Sequence, residues 1–440
     1  MRNLKQPKPL NGLSLEMFSV LQYCAINEPL FPNLETLQLR RVTQLFIPFV
    51  PLFLSPRITA IRIEFPESSD PPKAMVASMV ATLPKLCPNL RSIDLQYLPR
   101  DPVITTAISG MLLASDLDAL QLFGVDSPMS VEAYEVIRKL PNLRELSVVI
   151  DRDTFLPPLA LPNLTGLTIE YGHESVWPQM LHGAILGKLE SVAFHPRTQE
   201  VGGFLKAFER VALAGSAQNT LSRFYLQVWS SSWIPDYSSL LSFTQLTHLI
   251  IEFSCHRGCS STVDDDVITN LARAMPRLNT LRLGEAPCHE LRTGVTVGGL
   301  VVLARHCSDL SALCVHFQVA GLCIKPVTSG IASTAGSTAL RRVCALTDLE
   351  VGKIPIPKDS TLMIALNLCR IFPRINIDRK HTGWEKVADV ISLSRAIIEY
   401  SGKKHSLSTP RTLVTPPQKP HPRAVVNEET VGRDCALASP

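Results

Sequence analysis

A nine-residue pattern that keeps returning constrains this chain more than any other feature. Phe31-Pro-Asn-Leu34-Glu-Thr-Leu37-Gln-Leu39 reappears as Cys87-Pro-Asn-Leu90-Arg-Ser-Ile93-Asp-Leu95, Leu140-Pro-Asn-Leu143-Arg-Glu-Leu146-Ser-Val148 and Leu161-Pro-Asn-Leu164-Thr-Gly-Leu167-Thr-Ile169. With the first positions relaxed, the triplets Ile58/Ile61/Ile63, Leu117/Leu120/Leu122, Leu189/Val192/Phe194, Leu221/Phe224/Leu226, Leu246/Leu249/Ile251, Leu278/Leu281/Leu283, Leu310/Leu313/Val315 and Leu346/Leu349/Val351 bring the series to twelve units. Self-similarity at a steady period takes precedence over any local reading, because it sets the architecture.

The anchors run from Leu34 to Leu346 at a mean spacing of about 28 residues, with extremes of 21 and 36. That lies in the roughly 20 to 29 residue range of leucine-rich repeats. Between anchors, helical apolar spacing at 103–113, 131–140, 267–275 and 297–307 makes each unit strand, loop, helix, loop. The expected fold is therefore α/β: a leucine-rich-repeat solenoid, a horseshoe like ribonuclease inhibitor. Its parallel sheet would line the concave face and its helices the convex face.

In L-x-x-L-x-L the last two apolar side chains point to one face of a strand and the residue between them to the other. One unit cannot bury its apolar face alone, so the units must stack into one core. The intervening residues then line a solvated sheet: Gln38, Arg62, Asp94, Gln121, Ser147, Thr168, Ala193, Tyr225, Ile250, Arg282, Cys314 and Glu350. Nine of the twelve are polar, charged or tyrosine, as such a face requires. Arg62, Asp94, Gln121, Tyr225, Arg282 and Glu350, with His195, His248 and His316 flanking on the same face, are the candidate partner-binding residues. Tyr and Arg are enriched at interface hot spots, which places the expected partner over the carboxyl-terminal half. Near Tyr225, Trp229-Ser-Ser-Ser-Trp233-Ile-Pro-Asp-Tyr237 carries three aromatics, either core or an exposed anchor loop.

The domain organisation follows: an amino-terminal helix or cap over 1–30, about twelve repeats over 31–358, a last repeat and capping helix over 359–400, and a Pro-rich basic tail over 401–440. The tail has no aromatic residue and is expected to be disordered. A hydrophobic share of 45% against 19% charged means the rest packs extensively. The longest apolar run, 45–54, is broken by Pro48 and Pro51 and falls short of the roughly 20 residues a membrane helix needs. No membrane partner is expected. No signal-like apolar stretch follows the first residues, and the eleven cysteines are irregularly spaced, many inside apolar segments (Cys24, Cys314, Cys344, Cys369). A cytoplasmic or nuclear protein with reduced thiols is expected. The tail's six basic and three acidic residues account for most of the net +4, so the body lacks the basic clustering of a nucleic-acid binder.

No catalytic signature occurs: neither G-x-S-x-G, G-x-x-x-x-G-K-[ST], G-x-G-x-x-G nor H-E-x-x-H is present. Cys255-His256-Arg257-Gly258-Cys259, with Cys288-His289 one repeat on, has thiolate and imidazole but not zinc-site spacing. Asn163-Leu-Thr165 is a formal glycosylation sequon inside a repeat and is read as coincidence. The expectation is a non-enzymatic chain with neither metal nor cofactor.

The Leu-Pro-Asn-Leu-x-x-Leu-x-Leu units, with Leu300-Val-Val-Leu-Ala-Arg-His-Cys-Ser-Asp-Leu-Ser-Ala-Leu-Cys-Val315, resemble the leucine-rich part of fungal F-box/LRR proteins over about residues 13–400. The resemblance implies a substrate receptor of an SCF-type ubiquitin ligase. In that family the F-box docks a Skp-type adaptor and its cullin, and the repeats hold a protein substrate. The first repeat starts near Leu34, so the family's adaptor-docking residues correspond to no position of this sequence, and ligase assembly would need an F-box supplied otherwise. The alternative is a regulatory scaffold or GTPase-activating type of LRR protein. The Ran-activating family is similar in period, but the acidic tail of that family is replaced here by a basic one.

Overall fold

The computed structural model describes residues 3–5, 15–24, 29–67, 71–114, 117–150, 161–170, 186–196, 202–214, 217–228, 236–253, 263–284, 294–324, 344–351, 356–357, 359–377 and 384–407. Fourteen parallel strands form one sheet in chain order, β1 beside β2 through to β14, and the sheet does not close into a barrel. They are β1 Asn3–Lys5, β2 Thr36–Leu39, β3 Ala60–Glu64, β4 Ser92–Gln96, β5 Leu122–Pro128, β6 Glu145–Val149 and β7 Gly166–Glu170. The others are β8 Ser191–His195, β9 Arg223–Val228, β10 His248–Phe253, β11 Thr280–Leu283, β12 Ala312–Val315, β13 Asp348–Glu350 and β14 Asn376–Ile377. This is an α/β solenoid of leucine-rich-repeat type, with β2–β13 at the twelve units of the sequence.

The helices are α1 Leu15–Cys24, α2 Lys73–Leu86, α3 Pro102–Leu113, α4 Val131–Ile137, α5 Gly202–Ala214, α6 Asp265–Ala274, α7 Val297–His306, α8 Ala320–Ile324, α9 Thr361–Ile371 and α10 Trp384–Leu407. Successive helices pack side by side, α2 on α3, α3 on α4, α6 on α7 and α8 on α9. Short 3-10 helices, Ile47–Phe53 and Tyr237–Leu240, lie between β2 and β3 and between β9 and β10. Side chains cap several of these starts: Asp101 Oδ1 accepts from Val103 N (2.9 Å) at α3, Asp264 Oδ1 from Val267 N (2.9 Å) at α6, and Thr296 Oγ1 from Gly298 N (3.0 Å) at α7. Asp265 joins α6 to α7 by accepting from Thr296 N (2.7 Å) and Gly299 N (3.1 Å). A Cβ at Gly299 would sit 2.5 Å from Asp265 Oδ1, so a larger residue there would push this carboxylate off the amides it holds.

Two devices tie each repeat to the next. At the residue after each anchor one carbonyl accepts two amides from the following repeat: Glu35 O from Thr59 and Ala60, Thr59 O from Arg91 and Ser92, Arg91 O from Gln121 and Leu122, and so on to Ser311 O from Thr347 and Asp348. The second is the asparagine of the Pro-Asn-Leu turns. Asn89, Asn142 and Asn163 each donate through Nδ2, at 2.9 Å, to a backbone carbonyl of the preceding repeat, Pro56, Asp118 and Pro141. The amide of Asn163, the formal sequon residue, is thus engaged in the stack and also accepts from Lys188 Nζ at 2.9 Å.

The core is the anchor and strand leucines of every unit, almost all within 2% of full burial. One register differs from the sequence reading. In the fourth unit the buried triplet is Leu120/Phe123/Val125, while Leu122 is half exposed and pairs with Ser92. Leu120 N donates to Leu117 O as Leu34 N does to Phe31 O, so Leu120 is the anchor. Both Leu117-x-x-Leu120-x-Leu122 and Leu120-x-x-Phe123-x-Val125 satisfy the pattern, and the turn geometry selects the second.

Cys87, Cys307 and Cys344 fill the buried turn position ahead of their anchors as free thiols, and Cys314 is a buried free thiol on β12. At the far end Trp384 is fully buried and meets Phe317 edge-on at 6.2 Å, with Val387, Ala388 and Ile391 buried on the same stripe of α10. A second unit, Ser394–Pro440, is described only over 394–407, which is helical, so α10 continues past 400; the remainder of the expected tail lies outside the described residues. Among the described residues no helix is long and apolar enough to cross a membrane.

Candidate functional site

Strand register sets the intervening residues in one cross-strand row: Gln38, Arg62, Asp94, Gly124, Ser147, Thr168, Ala193, Tyr225, Ile250, Arg282, Cys314 and Glu350. With strands about 4.8 Å apart, such a row extends for roughly 50 Å. Gln121 is not in it. The register of the fourth unit moves Gln121 to the strand entry, where its carbonyl accepts from Arg144 and Glu145, and puts Gly124 in the row instead.

In the carboxyl-terminal half the row carries a linked network. Tyr225 Oη donates to Glu252 Oε2 at 2.8 Å, and Glu252 Oε1 lies 4.0 Å from Arg282 Nη1. Arg282 Nη2 donates to Glu350 Oε2, joining residues on β11 and β13 across Cys314. The His195 ring lies against the Tyr225 ring, centroids 5.1 Å apart, and His195 Nδ1 is 3.0 Å from Gln227 Oε1. Four sequence candidates, His195, Tyr225, Arg282 and Glu350, are therefore brought together. Glu252 is the link that sequence reasoning missed, though it lies two residues past Ile250 on the same strand and so on the same face.

Electrostatics follow from partial burial. Desolvation pushes the His195 pKa down, opposed by Gln227 and Glu252, so the ring favours its neutral form. Burial works against the Arg282 charge, yet Glu350 and its neighbours more than restore it, and its pKa ends above the ordinary arginine value. Burial drives the Cys314 thiol up to about 12, with Glu350 adding to the rise, so it is no nucleophile at neutral pH. A depression of about 610 Å3 lies along this network, with Ile250, Arg282, Ala312, Asp348, Glu350 and Asn376 among the residues that line it.

The other candidates lie apart. Arg62 Nε is 3.4 Å from Asp94 Oδ2 and Nη2 donates to Gln96 Oε1 (3.0 Å), a separate cluster on β3 and β4. His248 starts β10 beside Thr247 Oγ1 (2.9 Å); burial, then Arg223, lowers its pKa. His316 follows β12, half buried. Tyr237 is buried at 6% exposure, so that aromatic is core, whereas Trp229 and Trp233 lie outside the described residues. The Cys255/His256/Cys259 and Cys288/His289 groups also lie outside them. No family model matches the chain, and no curated protein matches it.

Proposed function

We propose that this chain is a non-catalytic protein-recognition solenoid whose partner lies across the open side of the sheet. The observation that carries the reading is the continuous in-register row, with Tyr225, Glu252, Arg282 and Glu350 linked along it. Cross-strand bonds hold these side chains in place before binding, which lowers the ordering cost of association. Tyr and Arg at the middle of such a surface are the residue types that dominate interface energetics. The finer role follows the family resemblance: the substrate-holding component of an SCF-type ubiquitin ligase, in cytoplasm or nucleus, reaching the adaptor through an F-box supplied by other sequence.

The test is capture of a binding protein by the full chain with Tyr225→Ala and Arg282→Ala combined. Two hot-spot truncations should each cost about 2 kcal/mol or more of binding, so affinity should fall by roughly a thousandfold. The Tm should barely move, because half-exposed ion pairs contribute only about 0–1 kcal/mol to folding. Undiminished capture, or a Tm collapse showing the pair to be structural, would refute the assignment. Recovery of a Skp-type adaptor with the wild-type chain tests the ligase role separately.

A further inference from the structure

Short side chains shape the carboxyl-terminal end of the open face. Two cross-strand rows run side by side there: Thr280, Ala312, Asp348 and Asn376 in one, and Ile250, Arg282, Cys314 and Glu350 in the other. On that side β12 presents only Ala312 and Cys314, with Thr280 and Arg282 on one flank and Asp348 and Glu350 on the other. The face therefore sinks along β12, and all eight residues line the depression of about 610 Å3.

Its charges are unevenly matched. Asp348 and Glu350 stand two residues apart on β13 and so face the same side. Among the described residues that line the depression Arg282 is the one basic side chain, and it is already shared between Glu350 and Glu252, the latter at 4.0 Å. Asp348 is exposed; its Oδ2 accepts from Thr347 Oγ1 at 3.1 Å, and it makes no ion pair among the described residues. The other cationic or titratable bases of this end stand off the depression: Arg223 on β9 beside His248 on β10, Arg374 in the turn ahead of β14, and His316 just past β12. Ile250 and Ala312 give the same depression an apolar part. An apolar surface with an unmatched carboxylate one strand away, at a spacing of about 4.8 Å, suits a side chain with a long aliphatic stem and a cationic head.

We infer that this depression seats a lysine or arginine side chain of the protein partner, its stem over Ala312 and its head against Asp348 and Glu350. The inference rests on the reading of the open face as the binding surface and adds the chemistry of what that surface takes.

The test is fluorescence anisotropy of the full chain with labelled peptides of equal length in which alanine alternates with lysine, with acetyllysine or with glutamate. The lysine peptide should bind at least about tenfold tighter than the acetyllysine peptide, which keeps the stem and loses the charge, and should weaken as salt rises. Ala312→Leu, which fills the depression and changes no charge, should weaken lysine-peptide binding about tenfold, and Asp348→Asn, which keeps the shape, about fivefold. Glu145→Gln removes an exposed carboxylate of β6, away from the depression, and should leave binding unchanged. All three variants should keep the wild-type Tm; a loss in Ala312→Leu leaves Asp348→Asn to decide. Equal binding of the lysine and acetyllysine peptides, indifference to Ala312→Leu and Asp348→Asn, or an equal loss in Glu145→Gln would overturn the inference. A partner whose capture needs Tyr225 and Arg282 but ignores Ala312→Leu and Asp348→Asn would sink the inference and leave the reading of the face intact; capture indifferent to all four positions would sink both.

Discussion

Leu146→Asp is expected to remove the cooperative thermal transition of the solenoid or to split it in two. Leu146 is 2% exposed on β6 and pairs with Phe123 on β5 and Leu167 on β7, in the middle of the core row. Loss of its burial costs about 3 kcal/mol or more, and an unpaired carboxylate among leucines adds several kcal/mol. In a stack each repeat is stabilised mainly by its neighbours, so a break at β6 uncouples the units on either side. Circular dichroism melts would report it. Ser147→Asp is the control: the next residue faces the open side, and its Tm should change by only a degree or two. Equal effects at 146 and 147 would contradict the register.

Trp384→Ala should cost about 3–5 kcal/mol, the usual penalty for deleting a large buried aromatic, and the damage should be local. Trp384 is fully buried against Phe317 beyond β12, and the stripe Trp384, Val387, Ala388 and Ile391 seals that end of the core. Hydrogen exchange should therefore accelerate first in β13 and β14 while β4–β9 stay protected, as expected of a chain of nearest-neighbour contacts. Uniform acceleration, or none, would show that the helix does not cap the core.

The repeat was legible because the leucines at anchor and strand positions are the core itself, so their spacing and their burial are one fact. β1 was not, since Asn3, Leu4 and Lys5 offer one apolar residue and no turn signal. Gln121 was misplaced because two overlapping triplets fit the pattern, and only the turn bond from Leu120 to Leu117 separates them. The row could be read by alternation, but the bonds within it join residues far apart in sequence, such as Arg282 and Glu350, and depend on stacking register. For the same reason the asparagines of the Pro-Asn-Leu turns read as turn formers, while their inter-repeat hydrogen bonds appear only in three dimensions.

Hydroxyl-radical footprinting of the full chain, free and bound to the protein it captures, tests the central claim most directly. Binding should protect Tyr225, His195 and Ile250 on the sheet, while Val103, Leu113 and Leu362, exposed on the helices, keep their free-state oxidation. Protection confined to the helix residues, with the sheet residues oxidised as before, would contradict the account.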